Sequence, residues 1–148
     1  MTEATHSPQR ESTHEALMDL FIGHDNLPGS PGARRFIGAD HGGLPISLFL
    51  VDDGPGFGPR LHRHPYPELF ILHAGQAEFT VDDTVLVATA GDVLIAPAGA
   101  AHRFTDSGSG QLRMTAIHTA PEMDTEWLEP DGEREHAATS EPTNGTPC

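Results

Sequence analysis

Between Pro45 and Pro121 the chain is cut at short intervals by Gly, Pro and Asp pairs. The longest stretch without such a break, Gln111–Ala120, is ten residues. A helix of that length is marginal, whereas strands of five or six residues are ordinary. The segments between the breaks are apolar or alternate with period two, as strands do. Arg35–Ile37 reads as a short edge strand and Pro45–Val51 (PISLFLV) as a buried strand. Further strands are predicted at Glu68–His73, Ala77–Val81, Thr84–Ala88, Asp92–Ala96, His102–Thr105 and Leu112–His118. Asp82-Asp83 joins two of them as a tight hairpin, and Ala74-Gly75-Gln76 joins another pair. Some eight short strands with no interior helix and no internal repeat imply a sandwich or barrel. At 148 residues, with 36% apolar residues and 16 Gly, the chain holds enough for one domain with one core.

The two ends differ from the middle. Residues 1–30 carry five acids against Arg10, and residues 129–148 carry five against Arg134. The head reads as an extension with one short helix over Glu15–Ile22, capped by Ser12 or Thr13. Asn26–Gly32 reads as a loop. Residues 31–128 form the barrel, and 129–148, rich in Glu, Thr, Pro and Gly, read as a disordered acidic tail.

A net charge of −14 argues against nucleic acid or an anionic membrane as partner. All eight basic residues are Arg, which excludes a catalytic lysine, pyridoxal phosphate attachment and a P-loop. The single cysteine, Cys148, permits no internal disulfide. No run approaches the length of a membrane span and no secretory leader is evident, so the sequence reads as a soluble cytoplasmic protein.

Chemistry concentrates in two segments. In the first, His62 and His64 lie two apart and share one strand face, and Glu68 keeps the same parity beyond the Pro65-Tyr66-Pro67 turn. Two imidazoles and a carboxylate on one wall suit a divalent transition metal. In the second, Gly91, Pro97 and Gly99 set up a turn that brings His102 onto a returning strand as a further ligand.

These residues resemble the two motifs of the cupin superfamily. The first, G-x5-H-x-H-x3,4-E-x6-G, is met by Gly56, His62, His64, Glu68 and Gly75. The second, G-x5-P-x-G-x2-H-x3-N, is met by Gly91, Pro97, Gly99 and His102, with Asp106 in place of the final Asn. That departure falls at a turn residue and leaves the ligands intact. The resemblance spans roughly residues 35–120. It implies an all-β cupin barrel (a double-stranded β-helix or jelly roll), a homodimer, and one divalent metal, Zn, Fe, Mn or Ni, on His62, His64, Glu68 and His102. It also implies that Glu68 can shift between ligand and base.

Parity extends the site. With Glu68 inward, Phe70 and Leu72 point in, while Leu69, Ile71 and His73 point out. Phe104 follows His102 inward. Leu112, Met114, Ala116 and His118 share the inward face of the last strand. His118 is therefore a candidate general base or a donor to a ligand, its other reading being a solvent-facing strand end. Tyr66 is a candidate hydrogen-bonding group at the site mouth, its other reading being packing against the turn prolines. Arg60 and Arg63 are expected to pair with nearby carboxylates. Outward Leu69 and Ile71 need a cover, from a partner subunit or from the head segment. The pocket is expected to be small and mostly apolar, suited to a small organic substrate with one chelating group. The reading favoured is a metal-dependent enzyme, either a Lewis-acid cyclase, isomerase or condensing enzyme of natural-product biosynthesis, or a dioxygenase. The alternatives are a non-catalytic ligand- or metal-binding module and a structural cupin without metal.

Overall fold

The computed structural model describes residues 20–130. Most of the helix expected over Glu15–Ile22, and the tail from residue 131, lie outside the described residues. Eleven strands are present among the described residues: β1 (Gly29–Ser30), β2 (Ala33–Ile37), β3 (Ser47–Asp53), β4 (His62–Arg63), β5 (Glu68–Ala74), β6 (Gln76–Val81), β7 (Thr84–Thr89), β8 (Val93–Ala96), β9 (His102–Asp106), β10 (Leu112–His118) and β11 (Glu126–Trp127). They form two antiparallel sheets, ordered β1-β2-β3-β10-β5-β8 and β11-β4-β9-β6-β7. The architecture is the jelly-roll barrel of the cupins.

The register stacks the inward side chains in layers. In the first sheet Ser47, His118, Glu68 and Ala96 stand abreast on β3, β10, β5 and β8. One step along come Phe49, Ala116, Phe70 and Leu94, and then Val51, Met114 and Leu72. In the second sheet Trp127, His62, His102 and Val81 stand abreast, followed by Phe104 beside Phe79, and Asp106 beside Ala77. The middle layers meet through the Phe70, Phe79 and Phe104 rings, at centroid distances of 4.9 to 6.1 Å. Edge-to-face aromatic packing adds to the area these rings bury. Among the described residues the buried polar side chains therefore gather in one end layer, above an apolar interior, with Asp106 the exception at the opposite end.

Two turns differ in role. Asp82-Asp83 closes the β6–β7 hairpin, with Val81 paired to Thr84. Asp82 has a φ of +52°, a conformation that Asp tolerates better than most residues. The Ala74-Gly75-Gln76 turn does not join paired neighbours: β5 and β6 belong to opposite sheets. Gly75, at φ +90°, carries the chain across the barrel where a Cβ would collide with the Gln111 carbonyl. A local pattern marks a reversal, but which sheet the next strand joins depends on distant pairing.

Candidate metal centre

Each ligand candidate is placed by its own piece of local structure. His62 lies on β4, paired across to His102 on β9. His64 follows β4 and accepts the Gly99 N–H on its carbonyl at 2.8 Å. That tie docks the second motif's turn against the first motif. The turn is closed by Ala100 N–H to Pro97 O at 3.0 Å, with Gly99 at φ +80°, as a type II turn requires of its third residue. It delivers His102 to the layer that holds Glu68. The ligand atoms of His62, His64, Glu68 and His102 all lie within 4.8 Å of one another. The four residues are at most 2% exposed.

Hydrogen bonding sets the imidazoles' tautomers. His62 Nδ1–H donates to Arg60 O at 2.7 Å, His64 Nδ1–H to Asp124 O at 2.9 Å, and His102 Nδ1–H to Ala100 O at 2.9 Å. A carbonyl can only accept, so each proton sits on Nδ1 and each neutral ring turns an Nε2 lone pair inward. Two of these lone pairs face Glu68 Oε1, at 3.1 Å from His64 and 3.0 Å from His102. Lone pair against lone pair at that distance is repulsive unless a proton or a cation lies between. The Nε2 atoms of His62 and His64 are buried without a hydrogen-bond partner. The donor set and its orphaned atoms fit a divalent metal held by these four residues.

The charge balance agrees. Burial pushes the Glu68 carboxyl up, but hydrogen bonds from His102, His118 and His64, made by the proton that lies between Nε2 and the carboxylate where no cation does, outweigh that and hold it well below the usual carboxylate range. His62 is held well below the ordinary imidazole value, first by burial and then by the neighbouring His102. A carboxylate kept ionised beside an imidazole kept neutral is the state a metal requires of its ligands.

His118 on β10 is fully buried, with Nε2 at 3.1 Å from Glu68 Oε2, off the line of a hydrogen bond. Its Nδ1 lies 2.7 Å from the Tyr66 hydroxyl. Because Nε2 faces a carboxylate, the proton belongs on Nε2, and Nδ1 accepts from Tyr66 O–H. The Tyr66 oxygen in turn accepts the Asp124 N–H at 3.0 Å. The Tyr66 ring stacks on His64 at 5.0 Å with a 4° interplanar angle. A chain of contacts thus runs from Asp124 through Tyr66 and His118 to the oxygen of Glu68 that turns away from His64 and His102.

The segment after β10 supplies groups that motif spacing does not reveal. Asp124 contributes only its backbone, and a backbone carbonyl leaves no mark in a sequence. Trp127 on β11 packs on His62 at 5.0 Å, and the Arg60 guanidinium lies 4.4 Å over the same indole. As the only Trp in the chain, it is the one signal that could have drawn attention there. Arg63 pairs with Glu126 at 2.9 Å, while Arg60 donates to the Glu129 carbonyl. His73 is exposed, and its Nε2 lies 2.8 Å from the Thr115 hydroxyl on the outer face. No helix among the described residues is long and apolar enough to cross a membrane.

Comparison with known proteins agrees with this geometry. The sequence pattern of the Cupin domain family matches residues 49–118. No curated protein matches the sequence. Among solved structures, oxalate decarboxylase of Lactobacillus farciminis is similar at 22% identity and a TM-score of 0.63, over 72% of this chain and 35% of that one. The chain thus spans about a third of that protein's length. An uncharacterised protein from Klebsiella pneumoniae with a double-stranded β-helix domain is similar at 19% identity and a TM-score of 0.57, over 74% and 97% of the two chains. A cupin 2 conserved barrel domain protein from Rhodopseudomonas palustris is similar at 19% identity and a TM-score of 0.53, over 58% and 59%. At such identities these likenesses speak to fold alone. Fold, motif residues and family match converge, and the chain belongs to the cupin family.

Proposed function

We propose that this protein is a metal-dependent enzyme acting on a small organic substrate that chelates one divalent transition metal held by His62, His64, Glu68 and His102. The observation that carries this is the set of three imidazoles, each locked by its Nδ1–H, whose Nε2 atoms converge with Glu68 Oε1 inside the barrel. A metal with four protein ligands and open positions would polarise a bound oxygen or activate water or O2. Glu68 holds its position through Oε1, while Oε2, facing His118, is placed to take up or return a proton of the substrate. His118, backed by the Tyr66 hydroxyl, orients that carboxylate. Glu68, His118 and Tyr66 are the residues we assign to catalysis.

The layer beneath shapes the substrate. Phe49, Phe70, Phe79, Phe104 and Met114 are buried there, and among the described residues the buried polar side chains include no Arg. A dianion such as oxalate is ordinarily held by a cationic fork, so this interior favours a substrate with one chelating head and an apolar body. Lewis-acid cyclisation, isomerisation or condensation, and dioxygenation, are the reaction classes that fit. A homodimer is the assembly we propose, following the family resemblance.

The test is elemental analysis of untagged protein purified without chelator, followed by assays chosen by the metal found. Close to one Zn per chain directs the search to Lewis-acid chemistry, and Fe, Mn or Ni directs it to oxygen uptake. His62→Ala, His64→Ala and His102→Ala should each abolish metal retention, whereas His73→Ala should not. Bound metal with slow ligand exchange and no turnover would instead identify a binding module. No bound metal even after reconstitution would overturn the proposal.

A further inference from the structure

Among the described residues β7 ends the second sheet and β8 ends the first, and residues 90–92 carry the chain from one free edge to the other. Half of the large apolar side chains exposed among the described residues stand on these two strands: Val85, Leu86 and Val87 on β7, Val93 and Ile95 on β8. On β7 the parity of the neighbouring strand sets Val85 and Val87 outward, beside Thr80 and Glu78, and Leu86 inward, beside Phe79. All three are nevertheless 44% to 59% exposed. Edge strands in soluble proteins are ordinarily guarded by a charge, a proline or a bulge. β7 reads Thr-Val-Leu-Val-Ala-Thr and carries none of these along its six residues.

The hairpin decides which backbone groups of β7 are free. Val81 and Thr84 flank a two-residue turn, so that pair exchanges both of its hydrogen bonds. By alternation Leu86 and Ala88 bond to β6, while Val85, Val87 and Thr89 turn their N–H and C=O groups away from it. The Thr89 N–H is held by Asp92 Oδ2 at 2.8 Å, in agreement with that alternation. That bond closes one end of the edge. The N–H and C=O groups of Val85 and Val87 have no partner among the described residues.

These free groups match a second copy of themselves. With two β7 strands antiparallel about Leu86, Val85 of each copy meets Val87 of the other, and the free groups form four hydrogen bonds. Leu86 meets Leu86 on the axis, at a position without hydrogen bonds, where facing side chains lie closest. A register two residues away in one direction sets Asp83 against Val87. In the other direction it needs the Thr89 N–H that Asp92 already holds. The pairing consumes the free edge of β7 and so closes at two copies. The edge is about 20 Å long, and two sheets about 10 Å apart with their outer side chains make it about 20 Å deep, roughly 400 Å² per copy. That is about half of what a standard interface buries, which suits a pair that dissociates on dilution.

We infer that β7 pairs antiparallel with β7 of a second copy, centred on Leu86, and joins the two second sheets into one continuous sheet. This locates the interface of the homodimer proposed above and rests on that reading; it is independent of what the metal centre does.

The test uses the full chain. Sedimentation across micromolar to submillimolar protein should show a monomer–dimer equilibrium. Asp83 and Asp92 of opposite copies are the nearest like charges across the pair, so added salt should tighten it. Val85→Lys should weaken it at least about tenfold. Val87→Pro deletes an N–H that β6 does not use, so it should also give monomers while melting like the parent at a dilution where both are monomeric. Register is read with Cys148→Ser as background. Under mild oxidation Leu86→Cys should form a covalent dimer about tenfold faster than Val85→Cys, because only position 86 faces itself across the axis. Exposure alone predicts the reverse order, since Val85 is the more exposed of the two. A dimer that Val85→Lys and Val87→Pro leave intact would overturn this interface while keeping the homodimer. A monomer at every concentration would overturn both. Crosslinking at position 85 as fast as at 86 would overturn the register.

Discussion

Replacing Tyr66 by Phe removes one oxygen and keeps the ring that stacks on His64. The hydroxyl bridges the Asp124 N–H and His118 Nδ1, at 3.0 and 2.7 Å. Asp124 lies at the surface, so its N–H can turn to water at little cost. His118 is fully buried, so its Nδ1 would lose its partner with no solvent to replace it. An unsatisfied buried acceptor costs about 1–3 kcal/mol. For a chain of this length each kcal/mol lowers the melting temperature by roughly 2–4 °C. The metal-free Tyr66→Phe protein should therefore melt roughly 2–12 °C below the parent. Loosening His118 also loosens Glu68, and loss of such an outer partner weakens metal binding about 10- to 100-fold. Calorimetry on the metal-free protein and competition titration against a chelator of known affinity measure the two effects separately. A cycle with His118→Phe adds a control. Once the imidazole is gone, removing the hydroxyl should cost almost nothing more. If Tyr66→Phe melts within a degree of the parent and binds metal equally well, the Tyr66–His118–Glu68 chain has no energetic role.

Three further outcomes follow from the same geometry. His62 and Glu68 are both held below their ordinary values, 6.5 and 4.5, so the folded protein takes up protons less readily than the unfolded chain at both sites. Their stabilisation is complete above those values and is lost as pH falls. Melting scans of metal-free protein should show stability declining below about pH 6.5, with a further loss below about pH 4.5, and His62→Gln should remove the first limb. Asp82→Ala, at φ +52° and without the carboxylate that accepts the Ala101 N–H at 3.0 Å, should cost about 1–2 kcal/mol in urea unfolding, while Asp82→Asn should cost far less. Phe79→Ala, in the ring cluster beneath the metal centre, should cost about 3–5 kcal/mol, and a loss under 1 kcal/mol would mean that the cluster is not packed as described.

Much of the site was legible without coordinates because strand periodicity is a local property. Two residues apart on a strand means the same face, wherever the strand lies. His62 with His64, Glu68 with Phe70 and Leu72, and His118 with Met114 and Ala116 all follow from counting. The motif spacing then names which inward residues meet. Neither rule shows what lies across the barrel, nor what an unmatched backbone carbonyl does.

The sequence by itself determined eight of the eleven strands among the described residues, their inward faces, the candidate ligand set and the exclusion of lysine chemistry, because each depends on residue type and short-range spacing; the two-residue strands β1, β4 and β11, the first of them in a stretch read as a loop, exist only through their pairing with distant partners. The tertiary structure alone decided that Gly75 carries the chain to the opposite sheet. It alone brought Asp124 and Trp127 back onto His64 and His62 from some sixty residues away, and set the Tyr66 hydroxyl against His118. These are long-range meetings, fixed by how two twisted sheets close on one another, and no local pattern encodes the partner on the far side.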